Sequence, residues 1–243
     1  KNQTVSLIPG DSQFSLLLSE NDQIIKKILV DLVFPVLHGP LAEDGTVQGL
    51  LRLCNLGFVG ADVLGSAVGM DKDIMKRLLC EANILNAKSM TLYAHEEKNF
   101  NLSRVFEKLA SPVFVKPANM GSSVGVSKAD NLKELKEALK EAFQFDSKII
   151  IEEFIDGREI ELAVLGDHEL EVSCPGEIIP QNDFYSYKAK YLDDKEAFLK
   201  IPAELSEDVT FKLQELAKKT FRVLNCFGLA RVDFFLCDDG RLY

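Results

Sequence analysis

The chain is short of positive charge: 28 lysines and arginines face 38 aspartates and glutamates, for a formal net charge of −10. That deficit excludes broad contact with nucleic acid or anionic membrane, both of which need a basic face. A local group of lysines can still hold a small anion inside an acidic protein. Cysteine is sparse as well. Cys54, Cys80, Cys174, Cys226 and Cys237 are odd in number and show no C-x-x-C spacing, so they read as reduced thiols of a cytoplasmic protein. No apolar run approaches the ~20 residues of a membrane span. The start, Lys1-Asn2-Gln3-Thr4, has neither an initiator Met nor a signal-peptide core, and Leu242-Tyr243 ends the chain inside what reads as a strand. Both ends read as cut. His38, His95 and His168 lack metal-ligand spacing, and neither a Walker A sequence nor G-x-G-x-x-G occurs.

What is present is an ordinary globular composition, 47% hydrophobic, over 243 residues. That length is enough for one large core or two to three small ones. Ile28–Leu37 is an apolar run that predicts a buried strand leading into His38-Gly39. Thr46 is placed to cap a helix with Val47, Leu50, Leu51 and Cys54 on one face. With Phe58-Val59-Gly60 this makes a βαβ rhythm, so the chain up to about Gly65 predicts an α/β lobe. Gly65 to Gly69 punctuates the chain before a helix from about Asp71, with Ile74, Leu78, Leu79 and Ala82 inward. Val113–Lys116, Ile149–Ile151, Glu159–Leu165 and the segment around Arg231 predict strands. Asp130 and Ser206 are placed to cap helices. Pro180 to Asp194 has no clear period and reads as a long loop of the kind that forms lids.

Several residues can carry chemistry. Lys116 closes an apolar strand and precedes a Gly/Ser turn, Gly121 to Gly125. It is either a surface lysine before a hairpin or a point charge for phosphate, with the turn's N–H groups as an anion nest. The same turn matches G-x-S-x-G, but a nucleophile elbow needs a helix directly after its serine, and Val124 to Ser127 reads as extended. Glu152 and Glu153 follow an isoleucine strand, as solvated acids or as acceptors for an adenine amino group. Glu159 and Glu161 share a strand face, which suits a ribose or a metal, or solvent. Arg231 and Asp233 also share a face, inside a strand apolar at both flanks. They form an exposed ion-pair ladder or, if buried, call for a ligand or Mg²⁺. His38, at a predicted strand end beside Gly39, is the one histidine suited to a site.

These pieces, in this order, resemble the D-alanine–D-alanine ligases of the ATP-grasp superfamily. The resemblance rests on His38-Gly39-Pro40-Leu41-Ala42-Glu43-Asp44-Gly45-Thr46-Val47-Gln48-Gly49, Met70-Asp71-Lys72, Val115-Lys116-Pro117 and Gly121 to Gly125. It continues through Tyr187-x-x-Lys190-Tyr191 and Gly228-Leu229-Ala230-Arg231-Val232-Asp233, covering about Val30 to Tyr243. It implies an α/β, ATP-grasp fold: a partial Rossmann-like N-terminal lobe (1–66), a central lobe (67–156) and a C-terminal lobe (157–243), two α+β lobes sandwiching ATP. It further implies that Lys72, Lys116 and Lys190 bind the phosphates under a loop carrying Ser122 and Ser123. Glu152, Glu153 and Ile155 would line the adenine pocket, and Glu159 would take the ribose. His38 and Arg231 would attend the first D-alanine, Ser122 and Tyr191 a loop-closing hydrogen-bonded link, and Asp233 the Mg²⁺ (or Mn²⁺).

The implied activity is ATP-dependent joining of two D-alanines for peptidoglycan precursors, by a cytoplasmic homodimer. Tyr191 favours a dipeptide over a D-lactate product. Ala42 stands where the family has Gly. The family's Gly-rich opening segment is not found in residues 1–29, and its Glu-x-Asn-Thr-x-Pro-Gly segment, which the resemblance implies should follow Tyr243, is not in the sequence. The chain as it stands is therefore expected to bind ATP weakly and not turn over, whereas the full-length protein would. Another ATP-grasp carboxylate–amine ligase and a non-catalytic nucleotide-binding module are the competing readings.

Overall fold

Gln3–Leu7 (β1), Ser15–Glu20 (β2) and Gln23–Leu29 (β3) form an antiparallel sheet in the order β1-β2-β3. A computed structural model describes residues 3–10, 15–180 and 197–243 of the chain. Asn21 and Asp22, both at positive φ (51° and 62°), make the two-residue turn between β2 and β3. This is the backbone that matches strand twist in a tight hairpin. The expected buried strand over Ile28–Leu37 does not form. Ile28 and Leu29 end the exposed β3, and beyond them Val33 makes an isolated parallel bridge to Phe58. Leu32, Phe34, Val36 and Leu37 stay exposed. A run apolar on both faces needs packing over both. Among the described residues only Val30 and Val33 of it pack on the Leu51, Cys54 and Leu56 cluster, while Gly57 to Val59 pair one edge.

The helix Thr46–Leu53 (α1) buries Leu51 and, just past its end, Cys54 against Leu56 and Phe58, while Leu50 turns outward. Its N-cap is Gly45 at φ +95°, not Thr46. Asp44 takes over the capping, accepting from Leu41 N–H at 2.7 Å and Thr46 N–H at 2.9 Å. Gly65 and Gly69 do not break the chain; they lie inside the helix Val63–Met70 (α2). Gly65 is needed there because a Cβ would sit 2.5 Å from the Asn225 carbonyl oxygen. Asp71 caps the next helix, Lys72–Glu81 (α3), accepting from Asp73 and Ile74 N–H at 3.1 Å each. Leu79 faces inward, but Ile74 and Leu78 remain more than a third exposed because Asp73 and Lys76 take the inner face.

Ser89–Tyr93 (β4), Val113–Pro117 (β5), Ser127–Ala129 (β6) and Lys148–Glu153 (β7) form an antiparallel sheet in the order β4-β7-β5-β6. Ser103–Leu109 (α4) and Leu132–Ala142 (α5) cover one face. Asn131, rather than Asp130, caps α5, because its side chain reaches Lys133 and Glu134 N–H. Strand alternation sends Val113, Val115, Ile149 and Ile151 into the core with Leu135, Leu139 and Val105. It sends Phe114, Lys116, Ile150 and Glu152 to the opposite face.

The third sheet contains Arg158–Gly166 (β8), Leu170–Val172 (β9), Gly176–Pro180 (β10), Ala197–Lys200 (β11) and Gly228–Leu236 (β12). Its order is β11-β10-β8-β12, with β9 also on β8. Glu207–Val223 (α6), capped by Ser206 as expected, packs Leu213, Ala217 and Phe221 on Ile160, Leu162, Val164 and Phe234. The two large sheets are tied through α3 and α6. Leu79, Ile84 and Leu224 share a buried cluster, and Lys219 donates to the Ala82 carbonyl at 2.6 Å. Among the described residues no helix is long and apolar enough to cross a membrane, and all five cysteines are free.

Candidate active site

The polar face of the central sheet carries the largest concentration of paired charge among the described residues. Lys116 and Glu152 sit diagonally on neighbouring strands, since Lys116 is opposite Ile150 and Phe114 opposite Glu152. Lys116 Nζ lies 2.5 Å from Glu152 Oε2. From the other side α3 brings Lys76, whose Nζ is 3.0 Å from Glu152 Oε1. Glu152 is thus a buried acid with one lysine on each oxygen, not the solvated acid that a strand end suggests. Burial alone would raise its pKa; Lys116 and Lys76 together outweigh that and hold it down to about 2.

Lys72, at the first turn of α3, points to the segment after β5 and donates to the Met120 carbonyl at 2.5 Å. Burial, and then the nearby Lys116 cation, pull its pKa down to about 8. A group that the protein desolvates beside a like charge is one that an incoming anion would relieve. Lys148 completes the cluster, bridging Asp71 and, at 3.6 Å, Asp73. Its pKa is raised: burial opposes the shift, but hydrogen bonding and attraction to Asp71, with Asp73 beside it, prevail.

The turn after β5 is built to approach this cluster. Ala118 N–H donates to Lys148 O at 2.9 Å, and Asp146 accepts from the backbone and side chain of Asn119 at 2.8 and 2.9 Å. Ser122 and Ser123 follow at positive φ (54° and 58°). Gly125, at φ +67°, has no room for a side chain: a Cβ would stand 2.6 Å from the Phe145 ring and 2.9 Å from Pro117. No helix follows Ser123; β6 does, so the nucleophile-elbow geometry is absent. Gly121 lies against the His38-Gly39 loop, its Cβ position 3.6 Å from Gly39 Cα and 3.4 Å from Glu43 Oε2. His38 itself is exposed on that loop, not at a strand end.

Glu153 turns away from this face. Its carboxylate accepts from Lys88 N–H at 2.7 Å and pairs with Lys88 Nζ at 3.6 Å, so of the expected adenine-pocket acids only Glu152 meets Lys116 and Lys76. Ile155, half-buried, lies just beyond β7, near the Phe114–Phe154 ring pair with centroids 6.0 Å apart. On the C-terminal sheet Glu159, Glu161, Arg231 and Asp233 occupy the face away from α6, with Asp233 directly opposite Glu161. Arg231 grips Asp233 through Nε and an Nη at 2.8 and 2.9 Å and reaches Glu161 at 3.1 Å. The pair is about half exposed, an ion-pair ladder and not a buried pair lacking partners. The hydrogen bond to Asp233 raises the Arg231 pKa further.

Glu161 and Asp233 offer two hard oxygen donors, which suits Mg²⁺ held by one or two carboxylates plus phosphate oxygens. No group of three potential metal ligands occurs among the described residues. Lys190 and Tyr191 lie outside the described residues, as does most of the Pro180–Asp194 loop. Sequence reading missed Lys76, Asp73 and Lys148. Lys76 had a signal, since it falls four residues after Lys72 and hence on the same helix face.

Comparison with known proteins identifies the family. A family model described as D-ala D-ala ligase C-terminus matches residues 78–243, and one described as D-ala D-ala ligase N-terminus matches residues 8–61. The D-alanine–D-alanine ligase of Oceanobacillus iheyensis is 47% identical over 99% of this chain, and that of Shouchella clausii 48% over 99%. The chain spans 65% of the length of each of these relatives. The D-Ala:D-Ser ligase VanG of Enterococcus faecalis superposes with TM-score 0.85 at 37% identity, covering 99% of this chain and 68% of that one. The D-alanine–D-alanine ligase of Coxiella burnetii gives 0.84 at 34%, covering 99% and 62%. Matching family models across most of the chain and relatives this similar carry one conclusion: the fold is ATP-grasp α/β, and the chain belongs to the D-alanine–D-alanine ligase family.

Proposed function

We propose that the protein joins two D-alanines to D-alanyl-D-alanine at the expense of ATP, in peptidoglycan precursor synthesis. One observation supports it most: Lys72 and Lys116, 44 positions apart in the chain, are brought close enough for one cation to depress the other's pKa, beside a turn that admits no side chain at Gly125. In this reading Lys72 and Lys116 release their internal acceptors and take phosphate oxygens. Ile155, the Phe114–Phe154 pair and Glu152 line the adenine pocket, the Glu152 carboxylate staying with its lysines, and Glu159 takes the ribose. The backbone of Glu153, not its carboxylate, is left to serve the adenine. The turn carrying Ser122 and Ser123 closes over the phosphates together with Lys190 and Tyr191.

The first D-alanine's carboxylate attacks the γ-phosphorus and displaces ADP to give an acylphosphate; the amine of the second attacks that carbonyl, expelling phosphate and giving up a proton as the amide forms. Lysines at the phosphates offset charge that spreads during transfer, and a closed loop keeps water from the acylphosphate. Arg231 and His38 would orient the first amino acid. Asp233 and Glu161 would hold Mg²⁺ or Mn²⁺, whose chemistry here is neutralisation of phosphate charge; Arg231 must loosen its grip on Asp233 for that. We further propose the lobe divisions 1–66, 67–156 and 157–243, a homodimer, and a cytoplasmic location. The test is ADP release by the product of the intact gene with D-alanine, D-serine, D-lactate and L-amino acids offered. Release dependent on D-alanine alone is expected; release with L-amino acids only overturns the reading. The fit to VanG favours one second reading, D-serine as acceptor, which the same screen separates.

A further inference from the structure

Glu152 presents one oxygen to each of two lysines, and the two are not equivalent. Lys76 is locked: its side chain is 10% exposed, and its Nζ donates to the Ala87 carbonyl at 2.9 Å while meeting Glu152 Oε1 at 3.0 Å. Lys116 is more open, at 27% exposure, and has Glu152 Oε2 as its ion-pair partner beside the Phe114 ring at 5.9 Å. A buried carboxylate left with a single cation holds it tightly, because letting go leaves an uncompensated charge in a poorly solvated place. A carboxylate already neutralised from behind releases the second cation at far smaller cost.

We propose that Lys76 is a positioning residue which neutralises Glu152 permanently, so that Lys116 is free to exchange from Glu152 to a nucleotide phosphate. The inference rests on the nucleotide-binding reading above. Lys76 touches no substrate in this scheme; it acts through Glu152. Lys116 is held where phosphate will arrive and is given up on arrival, while Lys76 stays with Ala87 and Glu152 throughout. The role therefore concerns the phosphates and leaves the adenine side alone.

The test is calorimetric binding of ADP and of adenosine to the full chain, as wild type, Lys76→Met, Lys76→Arg, Glu152→Gln and the Lys76→Met/Glu152→Gln double variant. Lys76→Met should weaken ADP binding roughly ten- to hundredfold, the range expected when a buried pair loses one partner. Adenosine binding should change less than about threefold, and Lys76→Arg should retain most of the ADP affinity. The double variant should match Glu152→Gln, because Lys76 has nothing left to neutralise. Equal losses for ADP and adenosine would mean a general structural role and overturn the proposal, as would unchanged ADP affinity in a folded Lys76→Met protein. Should Lys76→Met fail to fold, Glu152→Gln and the double variant decide alone: matching ADP affinities support the proposal, and a further tenfold loss in the double variant overturns it. If wild type binds neither ligand, it is the nucleotide-binding reading that falls, and this inference with it.

Discussion

Removing the Lys72 ammonium should stabilise the ligand-free protein at neutral pH. Its pKa falls from 10.5 to about 8, chiefly through burial and then through the Lys116 cation. A folded-state value below the unfolded one means the unfolded chain holds more protons between the two. Stability should therefore rise as pH climbs from about 8 to about 10.5, and the penalty is fully present below 8. The difference, 10.5 − 8, corresponds to about 3 kcal/mol. Against this, Lys72→Met forfeits the hydrogen bonds to the Met120 and Ala118 carbonyls, about 1 kcal/mol net for the better one. Lys72→Met should thus gain about 1–2 kcal/mol at pH 7 and lose that advantage by pH 10. Urea denaturation of both proteins at pH 7, 8.5 and 10 measures it. A Lys72→Met protein that is less stable than wild type by the same amount at every pH would refute the reasoning, for it would show that the ammonium carries no desolvation penalty.

Glu152 should behave with the opposite sign. Its folded pKa of about 2 lies below the ordinary 4.5, so it contributes stability above pH 4.5 that disappears as pH falls through 2. Glu152→Gln should cost about 3 kcal/mol at pH 7 and flatten the acid limb of a stability–pH curve, read by denaturation between pH 2 and 7. Gly125→Ala, combining φ +67° with a Cβ 2.6 Å from Phe145, should cost at least about 2 kcal/mol in a urea melt. A loss under about 0.5 kcal/mol would show that the turn can shift.

Much of the fold was legible because local chemistry and tertiary demand agree. Ser206 reads as a helix cap and is one, and the helix expected from about Asp71 begins there with Asp71 as its cap, since each side chain can reach the next turn's N–H groups. The misplaced caps fail for one reason. Asp44 and Asn131 each stand one or two residues from the expected capping residue and satisfy the same donors, so spacing alone could not choose. Gly65 and Gly69 look like breaks in sequence, yet Gly65 is helical because Asn225, 160 positions away, needs the space. The Ile28–Leu37 run had the composition of a buried strand, but among the described residues nothing covers its second face. The alternation at Arg231 and Asp233 was right, and of the two readings left open the exposed ladder is the one found. Val232 and Phe234 face the α6 core, which leaves Arg231 and Asp233 on the open face. As for the site, Lys116 and Glu152 could be named separately. That they meet follows only from the β5–β7 register, which no single-strand pattern encodes.

That register also explains how an acidic chain can serve a polyanion. Around the polar face Lys72, Lys76, Lys116 and Lys148 are set against Asp71, Asp73, Asp146 and Glu152, so the resting cluster is close to neutral. It exerts little long-range pull on phosphate, and the net charge of −10 adds none. What it offers instead is cations already aimed, each resting on an internal oxygen: Lys116 on Glu152 and Lys72 on Met120, both mostly desolvated, and the half-exposed Arg231 on Asp233. Phosphate binding at such a site is an exchange of acceptors and not the neutralisation of bare charge. Its cost is set by how readily the abandoned oxygen is compensated. A carbonyl loses one hydrogen bond when Lys72 leaves, whereas a buried carboxylate would lose its counter-charge when Lys116 leaves. Of the two only Lys116 therefore requires a second cation behind its acceptor, and α3 provides one at the position four residues along from Lys72.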